Sequence, residues 1–286
     1  MTAYDKRLHA FRPDLADVRL KSDVAAERYV SGASARVAVA VADIRRRPET
    51  GAGLDTQLLH GDDVAVFERQ GDWAWVQAER DGYVGYVAAS ALAERTEEAT
   101  HVVSAPRSFV YPGPDLRFPR ADALSMGSAV TVVAEAETRG TRYLVLSSGA
   151  AMIAAHLRAA RADATDFVAI AETFVNTPYL WGGSSGFGID CSGLVQLSMR
   201  MCGKSVLRDT DMQEATLGEP LDTGPDLGNV RRGDLVFWKG HVAIMTDSET
   251  MVHANGHTML VSHERLDEAV KRIGYLYGQP TSFRRP

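Results

Sequence analysis

The chain has 286 residues, of which 45% are hydrophobic and 24% charged. That length exceeds one small core, and the balance fits a globular protein of two or three domains. The net charge of −6 is mild and mixed in sign, which argues against a nucleic-acid surface. No apolar stretch approaches the roughly 18 residues of a membrane span. Two cysteines, Cys191 and Cys202, exclude a disulfide scaffold as the organising principle.

The amino terminus, Met1 to Asp14, has no apolar stretch resembling a signal-peptide core. With so few cysteines, it predicts a protein of the reducing cytoplasm. Residues 1–33 read as a polar arm packed on the rest, with a helix-like patch from Ala16 to Val30. From 34 to 96 the pattern changes to short alternating strands, among them Arg36–Val39, Asp63–Glu68 and Trp73–Gln77. Gly61-Asp62, Gln70-Gly71-Asp72 and Arg80-Asp81-Gly82 supply the turns. Strands at this spacing predict a small β-barrel. Residues 97–162 repeat the plan more loosely. Ala129–Ala134 echoes Asp63–Glu68, Arg142–Leu146 echoes Trp73–Gln77, and Ser147-Ser148-Gly149 echoes the turn at Arg80-Asp81-Gly82. A tandem duplication of the barrel accounts for this.

Residues 163–286 form a third region of mixed helices and strands. Asp166–Val175 has the pattern of an amphipathic helix. A Gly-rich loop over 182–188 then runs into Asp190-Cys191-Ser192-Gly193, and apolar Leu194, Leu197 and Met201 continue a helical face. Cys191 is thus expected at a helix amino terminus. Free N–H groups and the helix dipole there favour an anion, so the spacing predicts a lowered thiol pKa and a thiolate nucleophile. A buried structural cysteine is the competing reading, and it is the reading kept for Cys202 within the helix.

A thiolate needs a partner that accepts its proton. Leu235–Trp238 and His241–Met245 read as two strands joined at Lys239-Gly240, and Glu249–Ala254 as a third. If Met245 opposes Glu249, the paired numbers sum to 494 and His253 directly opposes His241. The two imidazoles would then form a relay on one face, while a slip of one residue would separate them. Cys191 with two histidines could also hold zinc, but the spacing that metal sites show is missing. The loop 183–188 lacks the glycine order of a dinucleotide site and the Lys-Ser/Thr of a phosphate loop. His263-Glu264 is not followed by the second His of a zinc protease.

Four motifs then carry a resemblance: Pro178-Tyr179-Leu180-Trp181-Gly182-Gly183, Asp190-Cys191-Ser192-Gly193, Gly233-Asp234-Leu235-Val236-Phe237 and Gly240-His241-Val242-Ala243-Ile244. In this order they resemble the NlpC family of papain-like cell-wall peptidases, over roughly residues 165–286. The preceding barrels resemble the bacterial SH3-like domains fused to many members. The implied fold is α+β: a papain-like catalytic domain preceded by two small SH3-like barrels. The layout looks like that of γ-D-glutamyl-L-diamino acid endopeptidases, which recycle murein peptides. The resemblance implies a catalytic triad of Cys191, His241 and His253, with Tyr179 supporting the oxyanion beside the Cys191 backbone N–H. It implies further that Glu49, Tyr83, Asp190 and Ser192 bind the free amino group of a substrate such as L-Ala-γ-D-Glu-diaminopimelate. The segment Arg208–Gln213 looks like a family motif without a defined role. No metal or organic cofactor is expected. Two other readings remain open, namely a wall-peptide binding module and an amidase or acyltransferase using the same thiol.

Overall fold

The computed structural model describes residues 4–224 and 227–286; the first three residues of the predicted arm lie outside them. The chain divides into two compact units, Met1–Ala162 and Asp163–Pro286.

The first unit begins with an arm that is extended rather than helical. Leu15–Asp17 pairs in parallel with Arg28–Val30, and only one 3-10 turn, Val18–Leu20, lies between them. The expected helix over 16–30 is therefore corrected. The Asp17 carboxylate accepts from the Arg19 N–H and holds that turn at 2.9 Å. Leu15 and Ala10 are buried against Phe67 and Trp75, so tertiary contact overrides the local pattern. Arg12 adds an anchor, lying 4.4 Å over the Trp75 ring while donating to Glu68 Oε2 at 2.6 Å.

Behind the arm, seven strands form one antiparallel sheet. Their order is Leu54–Leu59, Val41–Arg45, Val84–Ala88, Trp73–Ala78, Asp63–Gln70, Ala33–Val37 and Leu92–Ala93. Period-two alternation decides its faces. Val64 and Val66 enter a core with Val37, Ile44, Leu58, Val76 and Val87, while Phe67 turns outward under the arm. The region beyond residue 100 contains its own apolar core, built on Val103, Val130, Leu144, Leu146, Met152 and Leu157. Its strands fall into three small sheets rather than one continuous sheet. The closing pattern nonetheless recurs: Val84–Ala88, a 3-10 turn and Leu92–Ala93 in the first half, then Ala151–Ile153, a 3-10 turn and Leu157–Ala159 in the second.

The second unit mixes helices with a six-stranded sheet. The helices are α1 (Phe167–Glu172), α2 (Cys191–Arg200), α3 (Thr210–Thr216) and α4 (Leu266–Tyr277). The sheet runs Glu219–Pro220, Ser282–Arg285, Leu235–Trp238, His241–Met245, Thr250–Asn255 and Leu260–Arg265. Its central strands are buried on both faces, which is why Leu235–Trp238 is apolar throughout. One face carries Val236, Trp238, Ala243, Met245 and Met251 onto Leu266, Ala269 and Ile273 of α4. Helix α2 is buried along nearly its whole length and packs on the strands that carry His241 and His253.

Candidate active site

Asp190 caps α2, and its position is fixed from several sides. Its Oδ1 accepts from the Gly193 N–H at 2.7 Å and from the Ser192 hydroxyl at 3.3 Å. Its Oδ2 accepts from the Gly182 N–H at 2.9 Å and from Arg208 at 2.8 Å. Arg208, only 1% exposed, also donates to Ser192 Oγ at 2.7 Å and to the Gly183 carbonyl at 3.3 Å. Gln213 donates to the Ser192 carbonyl at 2.9 Å. The Arg208–Gln213 segment, unassigned from sequence, thus grips the first turn of α2. Glycine is required at Gly182, where φ is 75°, and at Gly193, where a Cβ would stand 2.3 Å from the Gly183 oxygen.

Cys191 sits at the first position of α2 and is buried. Burial pushes its thiol up to about 11, and the neighbouring Asp190 carboxylate adds to the rise. The Val242 backbone amide, the Thr210 hydroxyl and Arg208 offset only part of it. The helix-start position alone predicted the opposite direction. That expectation is corrected, because withdrawal from water outweighs the field of the helix amides. Burial thus favours the neutral thiol. The Val242 amide that faces it belongs to the residue after His241, so the strand places the imidazole's backbone beside the thiol.

His241 and His253 do share a face. His241 Nε2 lies 2.9 Å from His253 Nδ1, with ring centroids 5.1 Å apart. The register differs from the expected one. Ile244 opposes Val252 and Met245 opposes Met251, so the numbers sum to 496, not 494. The physical reason is the turn. Thr246 donates to the Thr250 carbonyl at 2.8 Å, and Asp247 Oδ1 accepts from Glu249 and Thr250, both at 2.7 Å. This loop is longer than the one assumed. A shift of two preserves parity, so the histidines meet diagonally instead of head-on.

Burial, reinforced by the neighbouring His253 and Arg272 and opposed by Glu264, lowers the His241 pKa to about 3. His253, fully buried, is also lowered by burial, against the raising effect of Glu264. Both imidazoles are therefore neutral at pH 7. Trp238, itself fully buried, flanks His241 with ring centroids 5.7 Å apart.

One pair was passed over in the sequence. Glu264 Oε2 lies 3.1 Å from His253 Nε2, within ion-pair reach but off the line of a straight hydrogen bond. Arg272 of α4 holds Glu264 with two contacts, at 2.8 and 2.6 Å. Burial would raise the Glu264 carboxyl, but Arg272 and His253 more than offset it and hold it at about 2. The signal was the parity used for the histidines. His253 pairs with Ser262, so Glu264 lies diagonally across on the same face.

Tyr179 is half-buried, its N–H bonded to the Met259 carbonyl at 2.8 Å. Burial raises its phenol pKa, with further rises from a Cys191 thiolate and from Asp190, so the hydroxyl is protonated and within electrostatic reach of the thiol. Trp181 is 69% exposed and packs little. The structure thus assembles Cys191, His241, His253, Tyr179, Asp190 and Ser192 within one unit. Glu49 and Tyr83 belong to the other unit. Glu49 lies on an exposed loop, paired with Arg47 at 2.8 Å. Tyr83 is buried in the core of the seven-stranded sheet, its N–H bonded to Asp81 at 3.0 Å. Cys202 is partly exposed beyond the end of α2. Among the described residues, no group of three or more His, Cys, Asp or Glu side chains is arranged to hold a metal ion. Among them, too, no helix is long and apolar enough to cross a membrane.

Residues 176–273 match the NlpC/P60 family, and residues 44–92 match the bacterial dipeptidyl-peptidase Sh3 domain. The chain is 28% identical over 255 residues to dipeptidyl-peptidase 6 of Lysinibacillus sphaericus, covering 82% of this chain and 92% of the relative. It is 28% identical over 228 residues to gamma-D-glutamyl-L-lysine dipeptidyl-peptidase of Bacillus subtilis, covering 70% and 72%. The crystal structure of an NlpC/P60 family protein from Bacillus cereus shares the fold. Its TM-score is 0.74 at 22% identity, over 88% of this chain and 99% of that one.

Proposed function

We propose that this chain, a cysteine peptidase with an NlpC/P60 domain behind a bacterial SH3 domain, cleaves the γ-D-glutamyl-L-diamino acid bond of murein-derived peptides with a free N-terminal L-Ala. The observation that carries the reading is a buried thiol at the start of α2, beside the strand that begins with His241, which is hydrogen-bonded to His253 on the next strand. The relatives named for γ-D-glutamyl-L-lysine peptides support the substrate class.

In the proposed reaction His241 takes the thiol proton as Cys191 Sγ attacks the γ-carbonyl carbon of D-Glu. The Cys191 N–H and the Tyr179 hydroxyl donate to the developing oxyanion. His241 then protonates the amine of the diamino acid, which leaves. Water, activated by the same imidazole, hydrolyses the thioester and restores the thiol. A thiol that burial keeps protonated suits this scheme, since attack and proton transfer proceed together.

Asp190 is already neutralised by Arg208. The strand, 3-10 turn and strand at 151–159 support reading the second half of the first unit as a diverged copy of the SH3 barrel. The recycling role implies a cytoplasmic location. Incubation with L-Ala-γ-D-Glu-diaminopimelate and with its N-acetylated form, followed by mass spectrometry, tests the whole reading. The expected product is L-Ala-D-Glu, with kcat/KM at least about 100-fold lower for the acetylated peptide, roughly 2.7 kcal/mol. Equal cleavage of both peptides would remove the requirement for a free amine, and no cleavage of either would remove the substrate assignment.

A further inference from the structure

The histidine pair does not end at His253. Its Nε2 faces Glu264 at 3.1 Å, and Glu264 is clamped by Arg272, whose Nε and Nη2 donate to its two carboxylate oxygens. These contacts span three elements: the strand Thr250–Asn255, the strand Leu260–Arg265 and helix α4. The lone pairs leave little freedom in where the protons sit. An ionised carboxylate can only accept, and a bare nitrogen lone pair facing it would be repelled, so even off the line of a straight hydrogen bond the contact favours the proton on His253 Nε2. A neutral imidazole carries one proton, so His253 Nδ1 then has only a lone pair. The partner 2.9 Å away, His241 Nε2, must therefore be the donor. By the same count His241 Nδ1 is left unprotonated, as a base requires.

We propose that Glu264, held by Arg272, is a positioning residue that sets the proton order of the histidine pair, so that His241 presents a free Nδ1 lone pair for the Cys191 thiol. This rests on the reading of His241 as the base for Cys191. Without Glu264, His253 could carry its proton on Nδ1. That would turn the contact around, place the His241 proton on Nδ1 and leave no acceptor for the thiol. Arg272 contributes by fixing the carboxylate in place and keeping it ionised. The other charged or titratable group facing His253 is His257, from the turn beyond its strand.

Nitrogen-15 NMR of histidine-labelled wild-type protein reads the tautomers directly and needs no substitution. The expected result is His253 protonated at Nε2 and His241 at Nε2. His253 protonated at Nδ1 would overturn the proposal. A double variant, Glu264→Leu with Arg272→Leu, removes acceptor and clamp without leaving a half-buried charge. It should lower kcat at least about 100-fold while KM changes less than about 2-fold, a split that loss of general-base function produces. Alkylation of Cys191 by iodoacetamide, followed on its own peptide, should slow in parallel. Glu264→Gln keeps an acceptor and should retain kcat within about 10-fold. A double variant with wild-type kcat and an unchanged His253 tautomer would refute the role. The alkylation and NMR readouts need no peptide substrate. If wild type cleaved no γ-D-glutamyl peptide while both readouts still followed Glu264, the substrate reading would fail and this inference would stand.

Discussion

Arg208→Met offers the sharpest test of what holds the nucleophile in place. The guanidinium is almost wholly buried, and it makes three contacts on the first turn of α2 and the loop before it: Asp190 Oδ2, Ser192 Oγ and the Gly183 carbonyl. Methionine matches much of its volume but satisfies none of these groups. The Asp190 carboxylate would be left buried, with backbone amides and one hydroxyl as its only partners. Breaking a buried pair in this way costs about 3–5 kcal/mol, because a charge remains without its counterion. For a unit of this size that lowers the melting temperature by about 10–20 °C. Calorimetry on the full chain reads the total, and hydrogen exchange of the peptide covering residues 191–200 reads the local loss. Asp190→Asn in the Arg208→Met background removes the stranded charge. The double variant should therefore be less destabilised than the two single costs added together, by at least about 2 kcal/mol. A loss below about 1 kcal/mol in Arg208→Met, or strictly additive costs, would refute the argument.

Cys191→Ala should abolish hydrolysis of γ-D-glutamyl peptides while Cys202→Ala leaves kcat/KM within about 2-fold, because only Cys191 stands at the helix start beside the imidazole strand; mass-spectrometric product assays check both. Acid should destabilise the peptidase unit in two steps. The His241 pKa is depressed in the folded state, so the unfolded chain takes up protons first, and stability falls from about pH 6.5 toward pH 3. The Glu264 pKa is also depressed, and its contribution, at most about 3 kcal/mol, is present above about pH 4.5 and lost as pH falls toward 2. Melting temperatures taken from pH 7 to pH 2.5 should show a shallower fall below pH 4.5 in Glu264→Gln than in wild type; parallel curves would contradict the assignment.

Local features were legible in the sequence because their causes are local. The Gly-rich approach and the apolar spacing at Leu194, Leu197 and Met201 specify α2 and put Cys191 at its start, while the capping role of Asp190 came only with the structure. Alternation and turn glycines specify most strands of the seven-stranded sheet, and parity alone puts His241 and His253 on one face, whether the turn is short or, as in the structure, longer. Other features depend on groups far apart in the chain. The segment 16–30 is extended because Phe67 and Trp75 offer it an apolar surface, which no local propensity encodes. The thiol pKa rises because neighbouring elements shut water out, and burial cannot be read from a helix start. The contacts of Arg208 with Asp190 and of Glu264 with His253 join residues separated by 18 and by 11 positions. They form only when the chain packs an Arg or a Glu against a buried partner that has no other counterion. The sequence thus determined which groups could react. The tertiary structure decided their protonation and their partners, because both depend on how completely the fold excludes water around them.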